Sequence, residues 1–125
     1  MRIFKNASFS RYVRKEDIKD NELLDVIKLL KKGVFDADLG GNVFKMRVAR
    51  QGKGKSGGFR VLVFFRKEER AFFAYGFAKN ALANISQKEL LKLKKQAKTM
   101  LAMTEAQIEM ALKEGILTEI KEELT

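Results

Sequence analysis

The stretches VFKMRV at residues 43–48 and FRVLVFFR at residues 59–66 decide the fold. In the first, apolar residues alternate with Lys45 and Arg47, a period of two that is typical of a strand with one buried face. In the second, Val61–Phe65 is apolar throughout, which predicts a strand buried on both faces. We therefore expect a sheet in which the second strand is central and the basic side chains of the first strand share one face.

A third strand is predicted at residues 71–78, joined to the second by a polar turn, so that the three strands form an antiparallel meander. Strict alternation along this strand would place Phe73, Tyr75 and Phe77 on one face. We expect Phe73 to fill the core. For Phe77, at the end of the strand, core packing and stacking on a nucleic-acid base both remain open.

Helices are predicted on either side of the meander, which gives an α+β fold of an antiparallel sheet meander with N-terminal helices packed on it and C-terminal helices. We expect a single domain over residues 1–125, with about 104–125 as a C-terminal extension whose acidic end is an edge strand or disordered. The predicted elements around the meander are a short strand at 2–4, helices at 6–14 and from Asp20 to Gly33, and helices that begin at the capping boxes of residues 86–89 and 104–107.

The composition narrows the functional classes. The 125 residues include 26 Lys and Arg, 16 Asp and Glu, and neither Cys nor His. This excludes disulfides, thiolate metal sites and catalysis by Cys or His. No apolar run approaches the length of a membrane span, and the N-terminus lacks the apolar stretch of a signal peptide, so a cytoplasmic protein is expected.

The positive charge is concentrated in the meander. Residues 43–80 hold ten basic and two acidic residues, whereas residues 104–125 hold two basic and six acidic ones. A surface that is only solubilising usually mixes the two signs. This segregation therefore favours a polyanionic partner, with nucleic acid the first candidate.

The candidate binding surface is formed by Lys45 and Arg47 on one strand and Arg60 on the next. A glycine-rich loop joins these strands and would let backbone N–H groups approach a phosphate closely. The alternation alone fits the solvated face of an ordinary sheet equally well. Because the loop between the strands is also basic, we favour nucleic-acid binding. The further candidate RNA-binding residues are Arg50, Lys53 and Lys55 in this loop, and Phe77 and Asn80 at the end of the third strand.

Two other kinds of site are weakly supported. The segment Gly54-Lys55-Ser56 resembles part of a phosphate-binding P-loop, but Ala49 stands where that motif needs a Gly, and a strand follows where it needs a helix. Asp36 and Asp38 form an acidic pair without a complementary cluster, which is a weak signal for a divalent cation. We therefore predict no metal and no cofactor.

Three stretches together resemble a known family. FKMRV at 44–48, GFRVLVF at 58–64 and YGFAKN at 75–80 are similar to the RelE/ParE superfamily of bacterial toxins. The stretch RVARQGKGKSGGFR at 47–60 resembles the HigB-type and related RelE branch most closely. The resemblance covers about residues 2–100 and includes the order of strand, helices, meander and helix.

The resemblance implies a toxin of a type II toxin–antitoxin pair that cuts mRNA in the ribosomal A site. It also implies a cognate antitoxin, which in the HigB-like branch carries a helix-turn-helix DNA-binding domain. By position, Lys45 and Arg47 match the two basic strand residues of RelE-type active sites, Arg60 matches the arginine of the next strand, and Lys79 falls near the site after the third. The chain departs from the pattern because it has no His and no Tyr follows Lys79.

The implied reaction is metal-independent RNA cleavage, in which the ribose 2′-hydroxyl attacks the neighbouring phosphate. Arg60 would clamp the phosphate, Lys45 is the candidate base, and Arg47 or Lys79 would stabilise charge or assist the leaving oxygen. Three alternatives remain: a ParE-like inhibitor of DNA gyrase, a non-catalytic RNA-binding module, and a purely structural basic domain.

Overall fold

The computed structural model describes residues 1–48, 59–78 and 85–122, and in these it confirms the predicted α+β class. The three predicted strands of the meander are present, together with three more strands and four helices. In chain order the elements are β1 Arg2–Asn6, α1 Ala7–Glu16, α2 Asp20–Lys31, β2 Ala37–Gly40, β3 Val43–Val48, β4 Phe59–Arg66, β5 Arg70–Phe77, α3 Gln87–Leu101, α4 Glu105–Lys113 and β6 Leu117–Ile120.

The strands form one sheet in the order β2-β3-β4-β5-β1-β6. Neighbouring strands are antiparallel except β1 and β5, which are parallel. Strand β2 adds a fourth strand to the predicted meander. For the acidic C-terminal segment the sequence allows an edge strand or disorder, and Leu117–Ile120 forms the edge strand β6. None of the helices in the described ranges has the length and hydrophobicity needed to cross a membrane.

Both faces of the sheet are covered by helices, because the central strands are apolar on both sides. Every residue of Val61–Phe65 is buried, as predicted for a central strand. Helices α1 and α2 cover one face, where Phe9, Leu23 and Ile27 pack on alternate residues of β3 to β5. Helices α3 and α4 cover the other, where Leu93, Ala97 and Ile108 meet the remaining residues of the same strands.

A β-bulge separates the aromatic residues of β5. Leu62 pairs with Tyr75 but Val63 pairs with Phe73, so Ala74 is an extra residue on β5. Phe73 consequently faces α1, where its ring stacks on Phe9 at 5.2 Å, whereas the Tyr75 hydroxyl donates to Gln96 of α3. The expectation that Phe73, Tyr75 and Phe77 share one face is therefore wrong, because an extra residue reverses the alternation.

Asn6 connects this bulge to the beginning of α1. Its side-chain oxygen accepts a hydrogen bond from the Phe9 N–H at 2.8 Å and caps the helix. Its side-chain nitrogen donates to the carbonyl of the extra residue, Ala74, at 3.0 Å. Asn6 therefore bonds both a backbone N–H in the first turn of the helix and the backbone carbonyl of the extra residue in the bulge.

Helix α2 ends as predicted but begins one residue earlier. Gly33 takes a φ of 76° after the helix, and the N–H of Val34 donates to the Leu29 carbonyl, as in a Schellman motif. Asp20 was expected at the N-cap but is the first helical residue, and Lys19 takes the cap position. The Glu22 carboxylate accepts the Lys19 N–H at 3.0 Å, which satisfies the cap from within the first turn.

The acidic C-terminal segment pairs with arginines at the beginning of β1 and β5. Arg2 makes two hydrogen bonds of 2.9 Å to the Glu119 carboxylate, and Arg70 lies 2.7 Å from Glu105. The hydrogen bond from Arg2 holds the pKa of Glu119 below its ordinary value, and the hydrogen bond from Arg70 does the same for Glu105. Part of the excess positive charge is thus neutralised at the β1 side of the sheet, away from β3.

Replacing Glu119 by Gln should lower the free energy of unfolding by about 1 kcal/mol at neutral pH, because a bidentate charged hydrogen bond is lost. Since the folded pKa of Glu119 is lowered, its contribution is present above the ordinary value of 4.5 and is lost as the pH falls through the folded pKa. Urea unfolding at pH 7 and pH 3 should show the difference from the wild type shrinking at pH 3. An equal loss in the control Glu114→Gln, which removes an exposed charge of the same segment, would contradict this account.

Replacing Gly76 by Ala should destabilise the protein by about 1–3 kcal/mol, the cost typical of overpacking. A Cβ at this position would overlap the ring of Tyr12, which lies against β5. Urea unfolding of Gly76→Ala in the wild-type and Tyr12→Ala backgrounds measures the coupling. The substitution should cost much less without the ring, and equal costs in both backgrounds would contradict the contact.

Candidate active site

Three of the basic residues predicted from the sequence, Lys45, Arg47 and Arg60, lie on one face and at one end of the meander. Arg47, Arg60 and Phe77 are aligned across β3, β4 and β5 by direct pairing. The next row towards the helices contains Lys45 and Leu62, which are also direct partners. On the same face Leu62 packs with Leu93 of α3, and Phe77 packs against that cluster, so the cations lie beside the helical layer.

Asp36 is an anion within this basic group. Its carboxylate oxygen Oδ2 accepts a hydrogen bond from Nε of Arg60 at 3.1 Å and lies 3.7 Å from Nζ of Lys45. Its backbone N–H donates to the Lys45 carbonyl at 3.0 Å, which fixes the residue beside β3 just before β2 begins. The three side chains therefore form one ion-pair cluster that draws on the β2, β3 and β4 regions.

Arg60 is the least exposed member of the cluster. Its side chain is 13% exposed, against 33% for Lys45 and 34% for Asp36. Its Nη1 atom is buried and has no hydrogen-bond partner in the part of the chain that the structure describes. The carboxylate of Asp36 holds Nε of the guanidinium, and the donor on the buried Nη1 becomes available to an oxyanion when the side chain shifts to expose it.

An apolar groove of about 340 Å³ lies beside the cluster, between β5 and α3. Tyr75 and Phe77 contribute aromatic side chains to it, and Ile85 and Leu93 line the helix side. Phe77 is also the direct pairing partner of Arg60. The site thus combines cations with an adjoining aromatic surface, which is the pairing of features that a nucleotide requires.

The outer face of α3 extends the positive surface. The helix has one acidic residue, Glu89, in its first turn. Five lysines of α3 form no ion pair within the described ranges: Lys88, Lys92, Lys94, Lys95 and Lys98. By contrast, Arg2 and Arg70 are paired with carboxylates. Unneutralised charge is therefore found on the same side of the sheet as the cluster.

The structure brings together four of the nine candidate residues: Lys45, Arg47, Arg60 and Phe77. The other five lie outside the described residues, namely Arg50, Lys53, Lys55, Lys79 and Asn80.

The sequence interpretation missed Asp36, which it treated only as part of an acidic pair with Asp38. Asp36 lies beside Lys45 because β2 pairs with β3. The carboxylate of Asp38 instead accepts a hydrogen bond from the N–H of Gly40 at 2.9 Å. Among the described residues no group of three or more potential metal ligands converges.

The fold and the site define a class of small basic α+β proteins in which cations at one end of a meander lie beside an aromatic groove. Comparison with models of protein families matches residues 1–120 to the RelE toxin of the RelE / RelB toxin-antitoxin system. The chain therefore belongs to the RelE toxin family, and the resemblance to the RelE/ParE superfamily is confirmed. The match includes α4 and β6. Membership implies a cognate antitoxin, and RelE toxins are generally endoribonucleases.

The bulge predicts different costs for two phenylalanines of β5. Phe73→Ala removes a fully buried ring and should lower the free energy of unfolding by about 3–5 kcal/mol. Phe77→Ala removes a partly exposed ring at the groove and should cost less than half as much. Urea unfolding of the two variants tests this, and comparable losses would mean that Phe77 belongs to the core.

Proposed function

We propose that the protein is a ribosome-dependent mRNA endonuclease that inhibits translation in the cytoplasm. We further propose that its antitoxin carries a helix-turn-helix DNA-binding domain, as the HigB-like resemblance implies. The observation that carries the proposal is the convergence of Lys45, Arg47 and Arg60 on one face beside the aromatic groove. Family membership supports an endoribonuclease, and the cluster supplies the chemistry that such an enzyme needs.

Cleavage of RNA requires stabilisation of a phosphate that gains negative charge in the transition state. Arg60 is suited to clamp this phosphate because β4 and Asp36 hold its guanidinium in place. Arg47 is opposite Arg60 in the ladder, and Lys45 is one row deeper. The three cations thus approach a phosphate from two strands, and Asp36 holds Lys45 and Arg60 in position before the substrate arrives.

The groove beside Arg60 is suited to a nucleobase. The rings of Tyr75 and Phe77 offer stacking surfaces, which bind single-stranded RNA with little regard to sequence. The direct pairing of Phe77 with Arg60 would place a stacked base next to a clamped phosphate. A base-stacking surface next to a phosphate site favours a single-stranded substrate, such as mRNA held open in a ribosomal site, over a stacked duplex.

In the proposed reaction the ribose 2′-hydroxyl attacks the adjacent phosphate, which yields a 2′,3′-cyclic phosphate and a 5′-hydroxyl. Alignment of the mRNA by the ribosome would contribute much of the rate, since positioning alone lowers barriers substantially. This contribution is consistent with a chain that has no His. The remaining candidates belong to the same proposal: Lys79 as a charge-stabilising residue, and Arg50, Lys53, Lys55 and Asn80 as RNA contacts.

The lysines of α3 support a large polyanionic partner. Each phosphate contact by a lysine releases counterions, so affinity for RNA is expected to fall as salt rises. A helix whose five lysines form no ion pair with the described residues would hold the backbone of an extended RNA better than that of a single nucleotide. This surface is therefore consistent with a ribosome-bound target.

Arg60→Ala should abolish mRNA cleavage on translating ribosomes, with a loss of at least about 100-fold, because the phosphate clamp is removed. The matched control is Arg66→Ala, at the opposite end of the same face of β4, where Arg66 pairs with Glu69. Both variants should remain folded. Cleavage is measured as the rate at which mRNA fragments with new 5′ ends appear in a reconstituted translation reaction.

Wild-type cleavage by folded Arg60→Ala protein would contradict the proposed clamp. Equal loss in Arg66→Ala would indicate a general effect of charge or stability rather than a role at the site.

A further inference from the structure

The Asp36 carboxylate is the described acidic group that contacts the cations of the site, and the cleavage scheme so far uses it only to hold Arg60 in place. We propose that Asp36 is the general base that takes the proton from the ribose 2′-hydroxyl. This inference rests on the proposed function and assigns it a catalytic residue that the sequence interpretation did not identify.

The reaction needs a proton acceptor, and the chain has no His to supply one. Lys45, the candidate base suggested by the resemblance, is the positive partner of Asp36 at 3.7 Å in the structure. An ammonium group has three donors and no acceptor, whereas an ionised carboxylate is an acceptor only. As arranged here, Lys45 is therefore suited to stabilising charge, and Asp36 is suited to receiving a proton.

The two oxygens of the Asp36 carboxylate differ in their contacts. Oδ2 carries the contacts to Arg60 and Lys45, while Oδ1 has no hydrogen-bond partner in the part of the chain that the structure describes. The side chain is 34% exposed, so a substrate can reach it. Because the backbone N–H of Asp36 is bonded to the Lys45 carbonyl, the carboxylate is held in place even though it precedes the strand.

Covalent structure of RNA places the reacting hydroxyl near this oxygen. The 2′ oxygen is attached to the carbon next to the one whose oxygen carries the phosphate. A phosphate bound on the Nη side of Arg60 therefore brings the 2′-hydroxyl close to the carboxylate that occupies Nε of the same guanidinium. Asp36 and the clamped phosphate would both bind the planar guanidinium of Arg60, which fixes their relative position.

The 2′-hydroxyl gives its proton to Oδ1 of Asp36 while its oxygen forms a bond to phosphorus and the bond from phosphorus to the 5′ oxygen breaks. The leaving 5′ oxygen takes a proton from solvent water. Asp36 then returns its proton to the solvent, which regenerates the carboxylate and neutralises the hydroxide left by that water.

Asp36→Asn tests the proposal because it keeps the shape and an acceptor for Arg60 while removing the base. Single-turnover cleavage of ribosome-bound mRNA should slow by about 100- to 10,000-fold, the usual contribution of general base catalysis. Affinity for RNA made uncleavable by 2′-O-methylation should stay within about threefold of wild type or become tighter, since a negative charge beside the phosphate is removed. Asp38→Asn is the matched control and should cleave at the wild-type rate.

Two further measurements separate a base from a residue that only positions Arg60. Asp36→Glu retains a carboxylate and should cleave faster than Asp36→Asn. A substrate with sulfur in place of the bridging 5′ oxygen has a better leaving group, which compensates for a lost acid but not for a lost base. This substrate should therefore leave the ratio of wild-type to Asp36→Asn rates unchanged.

Wild-type cleavage by Asp36→Asn would overturn the proposal, as would rescue of that variant by the sulfur substrate. Loss of binding in parallel with cleavage would also overturn it and would assign Asp36 a positioning role. If the wild-type protein itself fails to cleave mRNA with or without ribosomes, the proposed function fails and this inference fails with it. That result is distinct from one in which the wild type and Asp36→Asn cleave alike.

Discussion

The burial of β4 on both of its faces is the constraint on which the structure depends. Five successive apolar residues, Val61–Phe65, force helices onto each side of the sheet. Arg60 precedes this apolar run on the same strand, and its side chain is largely buried. The cation at the centre of the site is therefore held by the best-packed strand of the protein, which is the rigid support that preorganised charge requires.

Charge is arranged to leave this end of the sheet positive. Glu105 and Glu119 bind Arg2 and Arg70 at the opposite side, so the acidic C-terminal segment stabilises β1 and β6 without covering β3. The bulge at Ala74 makes a second contribution, because it turns Tyr75 towards α3 and keeps Phe73 in the core. One extra residue thus supplies both a packed interior and an aromatic surface beside the cations.

Much of this arrangement was predictable from the sequence because it depends on local patterns. Alternation placed Lys45 and Arg47 on one face, the apolar run identified β4 as central, and Ser86 and Thr104 cap α3 and α4 as their spacing predicts. Strand β2 and the bulge were missed, since both depend on pairing between strands. Asp36 was missed for the same reason: its role follows from the alignment of β2 with β3, which no local pattern reveals.

The central claim is that the site cleaves mRNA on the ribosome, and mapping of mRNA 5′ ends in a reconstituted translation reaction tests it most directly. The purified protein is added to reactions with and without ribosomes. The account predicts new 5′ ends in codon register that appear only when ribosomes translate. Cuts on free RNA would contradict the dependence on the ribosome, and undisturbed translation without cuts would contradict the nuclease and favour gyrase inhibition or simple RNA binding.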